Sequence, residues 1–128
     1  MPVKYLSPEW IDAYNAAVAA DEAVRKALRG KNGVMQMVVT DAPGGEIRYW
    51  LRVGDGTASA GLGDAADAEV TVSQSYETSA QVNRGELDGA KAFTQGKVKI
   101  AGKMMKMMAL RGPLAEVQKA LDTIDTEY

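Results

Sequence analysis

The 128-residue chain contains no cysteine and no histidine, and none of its apolar runs approaches the ~20 residues that span a bilayer. Without cysteine there are no disulfides, thiol nucleophiles or thiolate metal sites. Without histidine there is no Ser-His-Asp or Cys-His catalysis, no imidazole base and none of the common zinc sites. Its glycine-rich turns match neither a phosphate loop nor a dinucleotide fingerprint. We therefore predict that the protein is not an enzyme and has no cofactor or metal, with carboxylate chemistry as the one catalytic alternative left.

The composition is that of an ordinary soluble globular protein, with 46% hydrophobic residues, 25% charged residues and a net charge of -2. A chain of this length suits one domain that buries roughly two-thirds of its unfolded surface. The first residues lack the apolar segment of a secretory signal. We expect a single domain over residues 1–128 and a cytoplasmic location.

Capping residues predict two helices at the start of the chain. Ser7 and Pro8 have the character of an N-cap and a first helical residue, and the apolar spacing that follows continues to about residue 20. Asp21 caps a second helix, which Gly30 ends because glycine adopts the left-handed C′ conformation at little cost.

The apolar period then changes from that of a helix to two, which is typical of strands. Residues 34–39 and 47–53 predict a hairpin with one polar face, and the turn favoured by Asp55 and Gly56 returns the chain as a third strand over residues 57–62. Trp50 is expected on the outward face and is given no role.

The second half of the chain predicts two further strands and several helices. Glycine and proline at 112 and 113 should end one helix and begin another. Together with the hairpin, these elements predict an α+β fold, a five-stranded mixed sheet covered on one face by helices. The predicted elements are a strand over 68–74, short helices over 76–84 and from about Asp88 to Gly96, a strand over 97–101, and a helix after Gly102.

Four of the seven methionines occur within five positions of the helix after Gly102. At 100° per residue they cover an arc of roughly 160°, from which Lys103 and Lys106 are expected to face away. One interpretation is a helix that packs against the protein core. The other is a ligand-binding wall, because methionine's rotatable bonds suit a surface that repacks around variable guests. The four residues are Met104, Met105, Met107 and Met108.

Positive charge is concentrated in the segment from Gly89 to Ala115, which holds six cations and no acid and leaves the rest of the chain at -8. These side chains either lie on solvated faces or form a contact surface for an anionic membrane or an acidic lipid head group. In the second case each cation contributes ~1 kcal/mol. Nucleic acid is not expected as a partner, because aromatic side chains for base stacking are few and the net charge is negative. The six are Lys91, Lys97, Lys99, Lys103, Lys106 and Arg111.

Three stretches of the sequence resemble the sterol carrier protein type 2 domain family. They are A-E-V-T-V-S over 68–73, Gly85 with Leu87, and A-F-T-Q-G-K-V-K-I-A-G-K-M over 92–104. The resemblance extends over nearly the whole chain and is specific from about Asp67 to Leu110. It implies a lipid-binding tunnel between sheet and helices, with no catalytic residues. The helix predicted after Pro113 is a departure from the family.

By this resemblance the chain is expected to be a non-catalytic intracellular carrier that buries a fatty acid, a fatty acyl-CoA or a sterol-like lipid. Transient contact with an anionic membrane surface is a further expectation. The alternatives are an accessory subunit that presents a hydrophobic intermediate to a partner enzyme, and an interaction module without a ligand. Phe93, Val82 and Leu87 could bind the ligand or pack in the core, and both interpretations are open. The expected ligand-binding residues are Val82, Leu87, Phe93, Met104, Met105, Met107, Met108, Leu114 and Val117.

Overall fold

The computed structural model describes residues 2–54 and 56–128. Helices and strands alternate irregularly along the chain, as expected for an α+β protein. In chain order, the elements are β1 (Val3–Lys4), α1 (Pro8–Ala20), α2 (Glu22–Leu28), β2 (Gly33–Ala42), β3 (Gly45–Gly54), β4 (Thr57–Leu62), β5 (Val70–Ser75), α3 (Tyr76–Asn83), α4 (Gly89–Thr94), β6 (Val98–Gly102), α5 (Met104–Leu121) and β7 (Thr126–Glu127).

Five of the strands form one sheet in the order β4-β3-β2-β5-β6. The neighbours pair antiparallel except β2 and β5, which are parallel, so the sheet is mixed. Each of the five predicted strands corresponds to one of these. The prediction of an α+β fold with a five-stranded mixed sheet is confirmed.

Side-chain caps stabilise the starts of four helices. The side chains of Ser7, Asp21, Ser75 and Asp88 each accept hydrogen bonds from backbone N–H groups in the first turn of the helix that follows. Inward-facing strand residues meet the apolar sides of these helices in one core. No helix within the described residues is long and apolar enough to cross a membrane.

The edge of strand β4 is covered by helix α1. The side-chain amide of Asn15 donates to the backbone oxygen of Ala60 at 3.1 Å and accepts from its N–H at 2.8 Å. Both backbone groups of Ala60 are therefore satisfied from the helix, and this edge is protected from pairing with another chain.

The opposite, outer face of the sheet is crossed by the connection between β4 and β5. The buried side chain of Gln36 donates to the backbone oxygen of Gly63 at 3.1 Å and accepts from the N–H of Ala65 at 2.7 Å. The prediction of a polar outer face for the hairpin is therefore wrong for β2, where Val34 and Val38 are also buried. Sequence period alone does not show that a loop returns over this face.

Two ion pairs join β3 to the same connection. Arg48 Nε lies 2.6 Å from a carboxylate oxygen of Asp64, and Arg52 makes a bidentate pair with Asp67 at 2.8 and 3.0 Å. The guanidinium of Arg52 lowers the pKa of the Asp67 carboxyl. Trp50 lies between these arginines in the sequence and is half-buried. Its ring covers Gly61, where an added Cβ would overlap the indole.

Helix α5 continues through Gly112 and Pro113 as a single helix. The prediction of a break there is wrong, and the extra helix expected after Pro113 is the second half of α5. Leu110 and Val117 lie on the same side of the helix before and after the proline and are both buried in the core. Both halves of α5 thus pack in the same core, and this packing outweighs the ~3 kcal/mol that proline costs in a helix interior.

Strands β1 and β7 form a small parallel sheet that brings the two ends of the chain together. Strands of two residues have no measurable period, so the sequence did not reveal them. The turn predicted at Asp55 and Gly56 includes Asp55, which lies outside the described residues; Gly56 has a positive φ of 76°.

Candidate ligand-binding region

The junction between β6 and α5 depends on Gly102. Its φ is 108°, a value that side-chain-bearing residues rarely adopt, and an added Cβ would overlap the backbone oxygen of Glu69. The N–H of Lys103 donates to that same oxygen at 3.0 Å. These contacts start α5 directly at the end of the sheet.

Gly33, at the start of β2, lets α5 approach closely. A Cβ at this position would lie 2.7 Å from Cδ1 of Leu110 and 3.2 Å from Cδ of Lys106. Lys106 Nζ donates to the side-chain and backbone oxygens of Asn32 at 2.9 and 3.2 Å. Lys106 therefore lies on the sheet side of the helix, facing away from Met104, Met105 and Met108 as expected, but it is the lysine and not the methionines that faces the sheet.

Because Lys106 faces the sheet, three methionines of α5 face away from it. Met104, Met105 and Met108 are 41%, 80% and 68% exposed. We call these three residues the methionine face. Met107, at the side of the helix, is half-buried and packs against the core. The methionine arc is thus divided between an inner edge and an exposed face.

The structure separates the nine predicted ligand-binding residues by burial. Val117 belongs to the core. Leu87, Met107 and Leu114 are half-buried against it. Val82 on α3 is half-buried as well, and the exposed members are Phe93, Met104, Met105 and Met108.

Half-buried apolar side chains pack against the core from several elements, and four of them lie within residues 87–114. These four belong to α5, to the segment before α4, and to the inner face of β6. Helix α4 packs on β6, whereas α5 packs mainly on α2 and α1 and also touches β5. These two helices carry four of the six large exposed apolar side chains seen in the described residues. This part of the chain therefore has both half-buried and exposed apolar side chains. The group consists of Leu87, Ile100, Met107 and Leu114.

Ile100 was not among the predicted ligand-binding residues. Its place on one face of the fifth predicted strand was readable from the alternation with Lys99 and Lys97, but nothing in the sequence indicated that this face is incompletely covered.

An open surface depression of about 570 Å³ lies at the start of α5. Glu69 is its acidic group, with a carboxylate oxygen 3.6 Å from Lys103 Nζ and 3.8 Å from Lys106 Nζ. Metal binding is not favoured by this arrangement, and in residues 2–54 and 56–128 no three potential ligands among His, Cys, Asp and Glu lie close enough to share an ion. The lining residues are Glu69, Gly102, Lys103, Met104, Met105 and Lys106.

The α+β fold with its five-stranded mixed sheet is that of a known family. The model of the SCP-2 sterol transfer family matches residues 12–115. The chain belongs to this family, which confirms the resemblance seen in the sequence and supports a lipid-binding or carrier role.

Solved structures show the same fold. A conserved hypothetical protein from Thermus thermophilus has a TM-score of 0.79 at 20% identity, covering 98% of this chain and 92% of that one. A crystal structure of sterol carrier protein 2 has a TM-score of 0.79 at 21% identity, covering 94% and 99%. Palmitated SCP2L2 from Aedes aegypti has a TM-score of 0.62 at 20% identity, covering 95% and 100%. No curated protein sequence matches the chain significantly.

Proposed function

We propose that this protein is a non-catalytic carrier that binds a fatty acyl chain or a sterol-like lipid between the sheet and helices α4 and α5. The observation that carries the proposal is the half-buried apolar group Leu87, Ile100, Met107 and Leu114 in a member of a sterol transfer family. One lipid-binding domain would comprise residues 1–128, and the pairing of β1 with β7 supports including both ends of the chain.

Burial suggests two roles for the predicted residues. Leu87, Met107 and Leu114, with Val82 and Val117 beside them, would form the wall against which the ligand packs. The exposed members would form the rim of an apolar tunnel, where the ligand enters. These are Phe93, Met104, Met105 and Met108.

The binding energy in this proposal comes from apolar burial alone. Covering 300 Å² of apolar surface at ~25 cal/mol per Å² gives ~7 kcal/mol before association costs, so affinities near low micromolar are expected. No directed hydrogen bond is needed, and a deformable methionine wall would accept ligands of different shape. Free fatty acid, fatty acyl-CoA and sterol-like lipids are all candidates, and the palmitated Aedes aegypti relative supports the fatty acid.

A fluorescent fatty acid titrated into the purified protein tests the proposal. The wild-type protein should bind it with micromolar affinity, and native mass spectrometry should detect co-purified lipid. Ile100→Trp should lower the affinity at least tenfold, because the larger ring would occupy the proposed ligand volume beside β6. Ile47→Trp is the matched control, since Ile47 is also a half-buried isoleucine on the inner face of the sheet, but on β3.

Binding by Ile47→Trp should stay within about twofold of wild type. Circular dichroism of both variants checks that they remain folded. No binding by the wild-type protein contradicts the carrier function, and an equal loss in both folded variants contradicts the proposed location.

A further inference from the structure

The methionine face is an unusual surface for a water-soluble helix. Met105 and Met108 are 80% and 68% exposed, and with Met104 they occupy the first two turns of α5 on its outward side. Single exposed apolar side chains are normal on proteins, but adjacent ones on the same helix face mark an interaction surface. Methionine also adapts to surfaces that are not rigid.

Cations border this face. The Lys103 side chain is 70% exposed at the start of the helix. Arg111 is exposed and follows Met104 by seven residues, which places it on the same side of α5 two turns later. The nearby carboxylate, Glu69, is itself held between Lys103 and Lys106 and is mostly covered. Residues 89–115 contain no acid at all.

We propose that the methionine face docks on the surface of an anionic phospholipid bilayer. Met105 and Met108 would enter the boundary between head groups and acyl chains, while Lys103 and Arg111 would contact the phosphates. Apolar side chains bordered by lysine and arginine on one helix face are the arrangement that binds such interfaces. This surface includes three residues of the rim proposed for ligand entry, Met104, Met105 and Met108, and to that extent rests on the proposed function. It does not include the wall proposed for the carried lipid.

Charge also argues against a second copy of the chain as the occupant. In a symmetric dimer each face meets itself, so Lys103 and Arg111 would approach the same cations of the partner. Like charges across an interface are unfavourable, whereas an anionic bilayer complements them.

Co-sedimentation with vesicles tests the proposal. Wild-type protein should bind vesicles of phosphatidylcholine with about 30% phosphatidylserine at least tenfold more tightly than pure phosphatidylcholine vesicles, and added salt should weaken the binding. The double variant Met105→Glu with Met108→Glu should reduce binding at least tenfold. Arg111→Gln should reduce it about fivefold, on anionic vesicles only.

Leu62→Glu is the matched control, because Leu62 is an exposed apolar residue at 44% on the distant edge strand β4. Its vesicle binding should equal that of wild type. The proposal is overturned if the double variant binds anionic vesicles as tightly as wild type does. It is also overturned if wild type binds both kinds of vesicle equally. Self-association of the wild type without vesicle binding also overturns it and assigns the face to a dimer.

On the wild-type protein, a negative result in the vesicle assay does not imply a negative result in the fatty acid titration, and the reverse also holds. Loss of soluble fatty acid binding alone would count against the carrier function and leave the docking surface standing. Loss of vesicle binding alone would do the reverse.

Discussion

Single residues set how α5 lies on the sheet. Gly33 begins β2 where the helix crosses, and the absence of its side chain leaves room for Leu110, one of the most deeply buried residues. Nothing in the sequence connects Gly33 with Leu110. That contact exists only after the chain has folded.

Gly33→Ala should therefore destabilise the protein by about 1 to 3 kcal/mol, because the new Cβ overlaps a fixed leucine side chain. Gly54→Ala is the matched control at the end of β3, where no atom of the described chain lies within 4 Å of an added Cβ. It should change stability by less than about 0.5 kcal/mol. Urea unfolding measures both, and equal values for the two variants would contradict the close approach of α5.

Gln36 is the residue that fixes the crossing connection to the outer face. Its amide donates to the backbone oxygens of Tyr49 and Gly63, both at 3.1 Å, and accepts from the N–H of Ala65. A glutamine in an alternating strand predicts an exposed side chain. Here the loop supplies the partners that make its burial tolerable.

Gln36→Met keeps the side-chain size and removes these bonds, so it should cost about 1 to 3 kcal/mol. The amide proton of Ala65 should also exchange faster with solvent. Gln74→Met is the control on β5, since the Gln74 side chain is half-buried and makes no hydrogen bond to the described residues. Unchanged protection of the Ala65 amide would show that Gln36 does not hold the connection.

Among the elements, α5 departs most from its prediction. The local signals at Gly112 and Pro113 favour a helix end, yet the helix runs from Met104 to Leu121. Its direction is fixed by Leu110 and Val117 in the core rather than by its own propensity. The same packing decides which side of the methionine arc faces water.

Gly112→Ala distinguishes one continuous helix from two. In a continuous helix, alanine at this exposed position should stabilise the protein by about 0.5 to 1 kcal/mol, because glycine is the weaker helix former. Gly85→Ala is the contrasting variant, with a φ of 76° after α3, and should destabilise by about 1 kcal/mol. Thermal or urea unfolding gives the sign, and destabilisation by Gly112→Ala would indicate a helix end at that position.

At the scale of the whole molecule, the core contains several buried tyrosines. Burial is the main cause that raises the pKa of Tyr5, Tyr14 and Tyr49 above the usual range for phenols. Tyr5 also shares a 2.6 Å hydrogen bond with Ser79, which joins the start of the chain to α3. Above about pH 10, these groups therefore remain neutral only while the protein is folded.

Stability should be unaffected by these groups below about pH 10 and should fall above it, where the unfolded chain ionises its tyrosines and the folded core resists doing so. Each buried tyrosine should contribute about 1.4 kcal/mol per pH unit to this fall. Tyr14→Phe should therefore flatten the loss. The measurement is unfolding followed by circular dichroism from about pH 8 to 12, with tyrosinate absorbance in parallel.

The chain has five tyrosines, of which Tyr5, Tyr14 and Tyr49 are buried. Tyrosinate from more than two tyrosines below the unfolding transition would therefore contradict the buried state of these rings. Stability that is independent of pH up to about 12 would contradict the raised pKa values.

The sequence by itself determined the five sheet strands, most helix starts and the family, because period, caps and glycines act between residues close in the chain. Only the tertiary structure decided that α5 passes through Pro113, that Lys106 lies inward and the methionine face outward, and that Gln36 is covered. Each of these depends on a contact between distant segments, such as Gly33 with Leu110 or Gln36 with Ala65. Local patterns define which face of an element is apolar, but the close packing of partners elsewhere in the chain selects the side that is buried.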